Sequence, residues 1–303
     1  MGVSIAEYFG QRTDIDNPVI IPISIQAACP FSSGNICKKL KSRNHPVCSV
    51  RKRDGTMWIV CSERLCNTKK DIPLCQHQKG ILHKIAQQLY DPAVLFSEVC
   101  VKREESLNVV EGTTYKADYV ISLINGRTAF SGPDKMILEM QGGGETSNTG
   151  ELSSLINEWA ANPSRTNAQL RSERGASTLE TNAWRRQQEQ FIVKGNIAMK
   201  TWKGYGMAFC VGSLLYDYLM NKLASAHLPD LKKYNWTLAV IAIKEDDSIP
   251  VKSGAIPITV DESKMLFTNY QTFVQALINQ GEPSLGAFRG NFINLENETV
   301  SIP

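Results

Sequence analysis

The chain has 303 residues, 42% of them hydrophobic and 21% charged, a composition that allows a sizeable core and excludes a disordered chain. Its formal net charge is +3, from 33 Lys plus Arg against 30 Asp plus Glu, so no global excess of positive charge announces a nucleic-acid binder. The opening MGVSIAEYFGQRTDIDNP has no basic segment followed by an apolar run, and nothing nears the about 18 apolar residues of a membrane span. Export and membrane insertion are therefore not expected, and a cytoplasmic location is.

In chain order, residues 27–77 come first as a distinct region, holding six of the eight cysteines with Pro, Ser, Asn and Lys between them. Little apolar periodicity runs through it, so the segment is expected to be stapled rather than core-packed. Cys29, Cys37, Cys48 and Cys61 are spaced widely enough to come from two loops and to converge tetrahedrally on one structural metal ion. Tight CxxC pairs, the more specific signal, are absent. Free buried thiols, disulfides, or a ligand set drawn from Cys61, Cys66, Cys75, His77 and His83 stay open, with disulfides disfavoured by the lack of an export signal. Zinc and iron accept four thiolates equally well, and either would replace a hydrophobic core too small to hold the segment. The same region carries a basic run without acids: Lys38, Lys39, Lys41, Arg43, Arg51, Lys52 and Arg53.

From Ile81 the pattern becomes that of a mixed domain, which divides the chain into residues 1–80 and 81–303 with a boundary near Gly80. ILHKIAQQL places Ile81, Leu82, Ile85 and Leu89 at helical spacing. ADYVISLI and RTAFS flank Asn125-Gly126, which predicts a two-residue hairpin turn. KMILEMQ reads as a third strand, giving a meander over residues 117–141 that Gly142-Gly143-Gly144 ends. ELSSLINEWAAN is an amphipathic helix stopped at Asn162-Pro163, and a second helix is expected from near Thr178 to Met199. GMAFCVG and WTLAVIAI are apolar runs of the kind that become buried strands, with a helical SLLYDYLMNKLASA between them. This order predicts an α/β (α+β) fold built on a mixed sheet flanked by helices.

Period-two geometry puts Glu139 and Gln141 on one face of KMILEMQ, and the meander can carry Asp118 beside Glu139. Two carboxylates on rigid strands suit Mg²⁺, which takes hard oxygen ligands and leaves room for water and a substrate phosphate. Gln141 would then orient water or the phosphate. On its own, an Asp followed 21 residues later by Glu-x-Gln is a weak signal.

The ordered segments AEYFGQR, ACPF, the cysteines at 37 and 48, WIVCSERL, DYVIS, ILEMQ, TNAWRRQQEQFIVKGNIA and GMAFCVG together resemble the NotI and EagI group of type II restriction endonucleases, within the PD-(D/E)xK nuclease superfamily. The resemblance implies a PD-(D/E)xK core with an N-terminal rubredoxin-like four-cysteine module on Cys29, Cys37, Cys48 and Cys61, holding zinc or iron. It implies Mg²⁺ on Asp118 and Glu139, with Gln141 where the wider superfamily commonly has Lys, and a further upstream acid at Glu105 or, next in line, Glu104. The implied reaction is site-specific hydrolysis of duplex DNA, leaving 5′-phosphate and 3′-hydroxyl ends. A homodimer on a short palindromic site is expected, since a two-fold protein matches a two-fold sequence. Candidate DNA contacts are Arg165, Arg171, Arg174, Asn182, Arg185 and Arg186, from a stretch whose five arginines face only Glu173 and Glu180. Two alternatives stand beside this: a non-catalytic, metal-stabilised DNA-binding protein, and a repair or mobile-element nuclease on the same scaffold.

Overall fold

The computed structural model describes residues 2–301 apart from 24–25, 67–68, 109–113, 125–131, 145, 202–204, 280, 283, 287–288 and 297–299. An antiparallel sheet near the N-terminus holds β1 (Val3–Tyr8), β2 (Gln11–Arg12), β3 (Val47–Lys52) and β4 (Met57–Ile59) in the order β2-β1-β3-β4. Two single-turn helices, α1 (Lys38–Lys41) and α2 (Ser62–Leu65), carry the cysteine loops beside it, and α3 (Gln76–Leu89) leads on to the main sheet.

That sheet has six strands in the order β10-β9-β8-β7-β6-β5, namely β5 (Val99–Asn108), β6 (Thr114–Leu123), β7 (Lys135–Gln141), β8 (Gly206–Gly212), β9 (Leu238–Glu245) and β10 (Ile258–Thr268). Its centre, β7-β8-β9, is parallel and its flanks are antiparallel. The connection from β7 to β8 contains α4 (Thr149–Ala161), α5 (Asn167–Leu170) and α6 (Glu180–Lys200). Helix α7 (Ser213–Lys222) links β8 to β9, α8 (Tyr270–Ile278) follows β10, and a short pair, β11 (Phe292–Ile293) with β12 (Val300–Ser301), lies at the end.

Burial explains the sequence pattern. Strand β8 is buried at every position because it lies between two neighbours with helices on both faces, so its run is apolar throughout rather than alternating. Strand β6 lies nearer the edge and does alternate: Tyr119, Ile121 and Leu123 pack with Ile81, Ile85 and Leu89 of α3. On the opposite face Phe209 and Val211 meet Phe191 of α6, Leu215 of α7 and Phe273 of α8. Each such side chain, fully buried, contributes roughly 1.5–3 kcal/mol of transfer free energy.

Two expectations need correction. The cysteine-rich region is partly core-packed: Val50 and Trp58 join Val3, Ile5 and Tyr8 in the same apolar cluster as Phe191 and Phe273. Gly80 lies inside α3, so no break in secondary structure marks the expected boundary between 1–80 and 81–303. A buried ion pair within residues 1–80 is tied across this junction at Ile256. Arg64 of α2 donates from Nε to Glu7 Oε2 of β1 at 2.8 Å, both side chains being fully buried, and Glu7 Oε1 also accepts from Ile256 N at 2.8 Å. The predicted turn at Asn125-Gly126 and the RTAFS strand lie outside the described residues. The meander that is described runs through β5, β6 and β7, with β6 pairing directly with β7. No helix among the described residues is long and apolar enough to cross a membrane.

Candidate functional site

The antiparallel register of β6 and β7 pairs Tyr119 with Leu138 and Val120 with Ile137, which sets Asp118 across from Glu139. Each carboxylate accepts a backbone N–H from the other strand: Met140 N donates to Asp118 Oδ2 at 3.0 Å, and Asp118 N donates to Glu139 Oε1 at 3.2 Å. Glu139 is 3% exposed and Asp118 is half-buried, so what solvent access the pair has is on the Asp118 side. Lys194, reaching from α6, donates to Glu139 Oε2 at 2.7 Å. Burial raises the pKa of Asp118, opposed by the Met140 N–H and the Lys194 charge and assisted by Glu104. Glu139 is pushed up to about 8, first by burial and then by the charge of Asp118, with Lys194 opposing.

Glu104, not Glu105, is the upstream acid whose charge reaches Asp118. The register pairs Arg103 with Tyr119 and Glu105 with Ala117, leaving Glu104 opposite Asp118, and its φ of +45° is unusual for a residue with a side chain. Glu105 instead faces Lys102 at 3.9 Å and lines a separate hollow near Tyr205.

Gln141 ends β7 at the edge of a cleft of about 410 Å³. Gln187 of α6 donates from Nε2 to Gln141 Oε1 at 2.9 Å, and Gln141 Nε2 donates in turn to the Gly143 carbonyl, so the amide is held at both ends. Lys38 and Lys39 of α1 and Asn182 and Arg186 of α6 line the same cleft, and among the described residues no carboxylate does. Asp118 and Glu139 are not among the residues lining it.

The glycines after β7 bring these parts together. Gly144 N donates to Ile59 O at 3.0 Å, and Trp58 Nε1 donates to Gly144 O at 3.1 Å, joining β4 to the end of β7. A Cβ at Gly143 would fall 2.7 Å from the Trp58 ring, and one at Gly142 would fall 2.7 Å from Ile59 Cβ. Close backbone approach therefore requires glycine there, a role beyond ending the strand.

Cys29, Cys37, Cys48 and Cys61 are all buried as free thiols; Cys61 lines the cleft, while Cys29, Cys37 and Cys48 pack with Phe31 and Leu40. Their sulfurs accept backbone N–H groups: Cys29 from Phe31, Cys37 from Lys39 and Leu40, Cys61 from Glu63 and Arg64, and Cys48 from Gly10 at 3.2 Å. The Cys29 thiol hydrogen bonds to Cys37 and, with those N–H groups and the Lys39 charge, holds Cys37 down to about 6; the same bond and burial push Cys29 up. Burial also raises Cys48 and Cys61. Sulfurs ringed by amide donors suit thiolates bound to a soft or borderline cation. Among the described residues, no three His, Cys, Asp or Glu side chains are already drawn close enough to hold one ion. The alternative ligand set is dispersed: His77 meets Arg64, His83 Nε2 contacts Val94 O at 2.8 Å, and Cys66 lies in the core near Asp118 and Glu139.

The arginines divide into two groups. Arg165 donates to Ala160 O at 3.1 Å, Arg171 to Thr13 O at 2.7 Å and Asp16 at 3.1 Å, and Arg174 to Glu158 at 3.0 Å, so all three already tie loops together. Asn182 and Arg186 reach the cleft, and Arg185 is exposed elsewhere on α6. Lys194 and Gln187 are absent from the sequence-based set, although a lysine on the apolar stripe of Phe191, Gly195 and Ala198 is a readable signal. Compared with models of known protein families and with curated proteins, the chain matches none.

Proposed function

We propose that this protein is a Mg²⁺-dependent endonuclease of the NotI/EagI-like, PD-(D/E)xK type, hydrolysing duplex DNA at specific sites. The observation that carries the reading is the reciprocal Asp118–Glu139 pair on adjacent strands, its Glu139 two residues along β7 from Gln141, which lines a cleft with Lys38, Lys39 and Arg186. Asp118 and Glu139 offer hard carboxylate oxygens and fit Mg²⁺, with Glu104 near enough to act on Asp118. Bound there, the ion supplies Lewis-acid polarisation of a phosphate oxygen and a lowered pKa for attacking water.

The chain's own residues supply the rest. Lys38, Lys39 and Arg186 neutralise DNA phosphates in this cleft. Gln141, its amide held by Gln187 and the Gly143 carbonyl, orients a water or phosphate oxygen at the cleft edge. Asn182 and Arg186 present hydrogen-bonding groups from α6 for contact with base edges or backbone. A structural zinc or iron ion on the four buried cysteines, which would have to draw their sulfurs together, would fix α1 and its lysines against the cleft. A homodimer reading a palindrome goes with this proposal.

Incubation of the pure protein with plasmid DNA and Mg²⁺ tests it. Discrete fragments that disappear with Glu139→Gln, while DNA binding persists, are expected. Retarded but intact DNA would favour a non-catalytic binder, and unspecific or structure-dependent degradation a repair-type nuclease.

A further inference from the structure

Gln141 brings no positive charge to the site, and strand β7 carries none beyond its first residue, Lys135. The buried cation comes from the helix. Lys194 of α6 is 2% exposed, although its neighbours Phe191, Gly195 and Ala198 form an apolar stripe on which an aliphatic side chain would suffice for packing. A lysine there gives up its hydration and is tolerated only when paired. Its partner is Glu139, whose two oxygens each accept one donor: Lys194 Nζ at 2.7 Å on Oε2 and Asp118 N at 3.2 Å on Oε1. A carboxylate has about four lone-pair sites, so this double hold fixes the side chain and still leaves oxygen lone pairs for a cation. The helix repeats the device. Gln187, seven residues earlier and so on the same face, holds Gln141, two residues beyond Glu139 on β7.

We propose that Lys194 is a positioning residue, locking the Glu139 carboxylate beside Asp118 so that the two acids meet a divalent cation as a preformed pair. The inference rests on the reading of Asp118 and Glu139 as ligands of Mg²⁺. Partners that orient a metal ligand typically account for about 10–100-fold in metal affinity. The strand offers no cation at Gln141, and the buried cation beside the pair lies on the helix and acts through Glu139.

The test is Mn²⁺ binding to the full chain without DNA, followed by the loss of the free-ion electron paramagnetic resonance signal, alongside single-turnover DNA cleavage. Lys194→Met should weaken Mn²⁺ binding about 10–100-fold and slow cleavage, with metal-free DNA affinity unchanged, and Lys194→Arg should restore most of the loss. In a Glu139→Gln background, adding Lys194→Met should cost far less in Mn²⁺ affinity than in the parent, because positioning acts through Glu139 and only the Lys194 charge still bears on Asp118. The Glu139→Gln/Lys194→Met variant buries no charge at this pair and serves if Lys194→Met alone fails to fold. An equal drop in both backgrounds, or Lys194→Met binding Mn²⁺ as tightly as the parent protein, would overturn the role of Lys194 while leaving the nuclease reading intact. A parent protein that neither binds Mn²⁺ nor cuts DNA would sink both together.

Discussion

Replacing Arg64 with methionine probes how the cysteine region is joined to β1 and, through Ile256, to the main-sheet domain. Arg64 and Glu7 are both fully buried, with Nε 2.8 and 3.0 Å from the two carboxylate oxygens. In Arg64→Met, Glu7 keeps Ser49 Oγ at 2.7 Å and Ile256 N at 2.8 Å but loses its counter-charge. Breaking a buried pair from one side costs about 3–5 kcal/mol, because the remaining charge is left without compensation in a dry site. Removing both charges in Arg64→Met/Glu7→Gln should recover most of that loss. Urea unfolding followed by tryptophan fluorescence checks it, with the midpoint expected to fall at an unchanged m-value. Since Trp58 and Trp159 share one apolar cluster, the N-terminal sheet and the helices should unfold in a single transition. A loss below about 1 kcal/mol, the worth of a surface pair, would refute the reasoning. So would a separate early transition for the cysteine region.

Three further outcomes follow from the site. Lys38→Ala/Lys39→Ala should weaken DNA binding across all sequences and lower the slope of log affinity against log salt by roughly 2, measured by fluorescence anisotropy; an unchanged slope would remove these lysines from the interface. Glu139 is raised from 4.5 to about 8, so stability from its neutral form is present below the ordinary value and is lost as pH rises through about 8. Mn²⁺ must displace that proton, so its apparent affinity should climb about tenfold per pH unit between 6 and 8 and level off above, and a pH-independent titration would contradict the shift. Cys48→Ala should lower both folded yield and bound zinc or iron, read by elemental mass spectrometry, whereas a stable variant without metal would deny the cysteines a structural ion.

Most helices with an apolar stripe facing the core were readable, but α8, with Tyr270, Phe273 and Leu277 buried, went unread. The spacing of Ile81, Ile85 and Leu89, of Leu152, Leu155 and Trp159, and the span from Thr178 to Met199 all correspond to helices of the fold. Central strands β8 and β9 were legible as continuous apolar runs for the same reason. Strand β5 was not, because an edge strand carrying Lys102, Arg103, Glu104 and Glu105 takes its shape from pairing with β6 rather than from local pattern. Strand β10 was hidden by Asp261, Glu262, Ser263 and Lys264, which fall at a register shift between Val260 and Met265. At the site, period-two reasoning put Glu139 and Gln141 on one face, but a left-handed residue at Glu104 defeats any choice between adjacent acids by period alone. The contribution of α6 through Lys194 and Gln187 depends on a crossing between helix and strand that no local window contains.

The most direct measurement is end mapping of DNA of known sequence after incubation with the protein and Mg²⁺, run beside Asp118→Asn. Breaks recurring at one short sequence, with 5′-phosphate ends, and an Asp118→Asn protein that binds but does not cut, are the predicted result. Intact DNA with the parent protein, or undiminished cutting by Asp118→Asn, would contradict the claim that Asp118 and Glu139 form a catalytic pair.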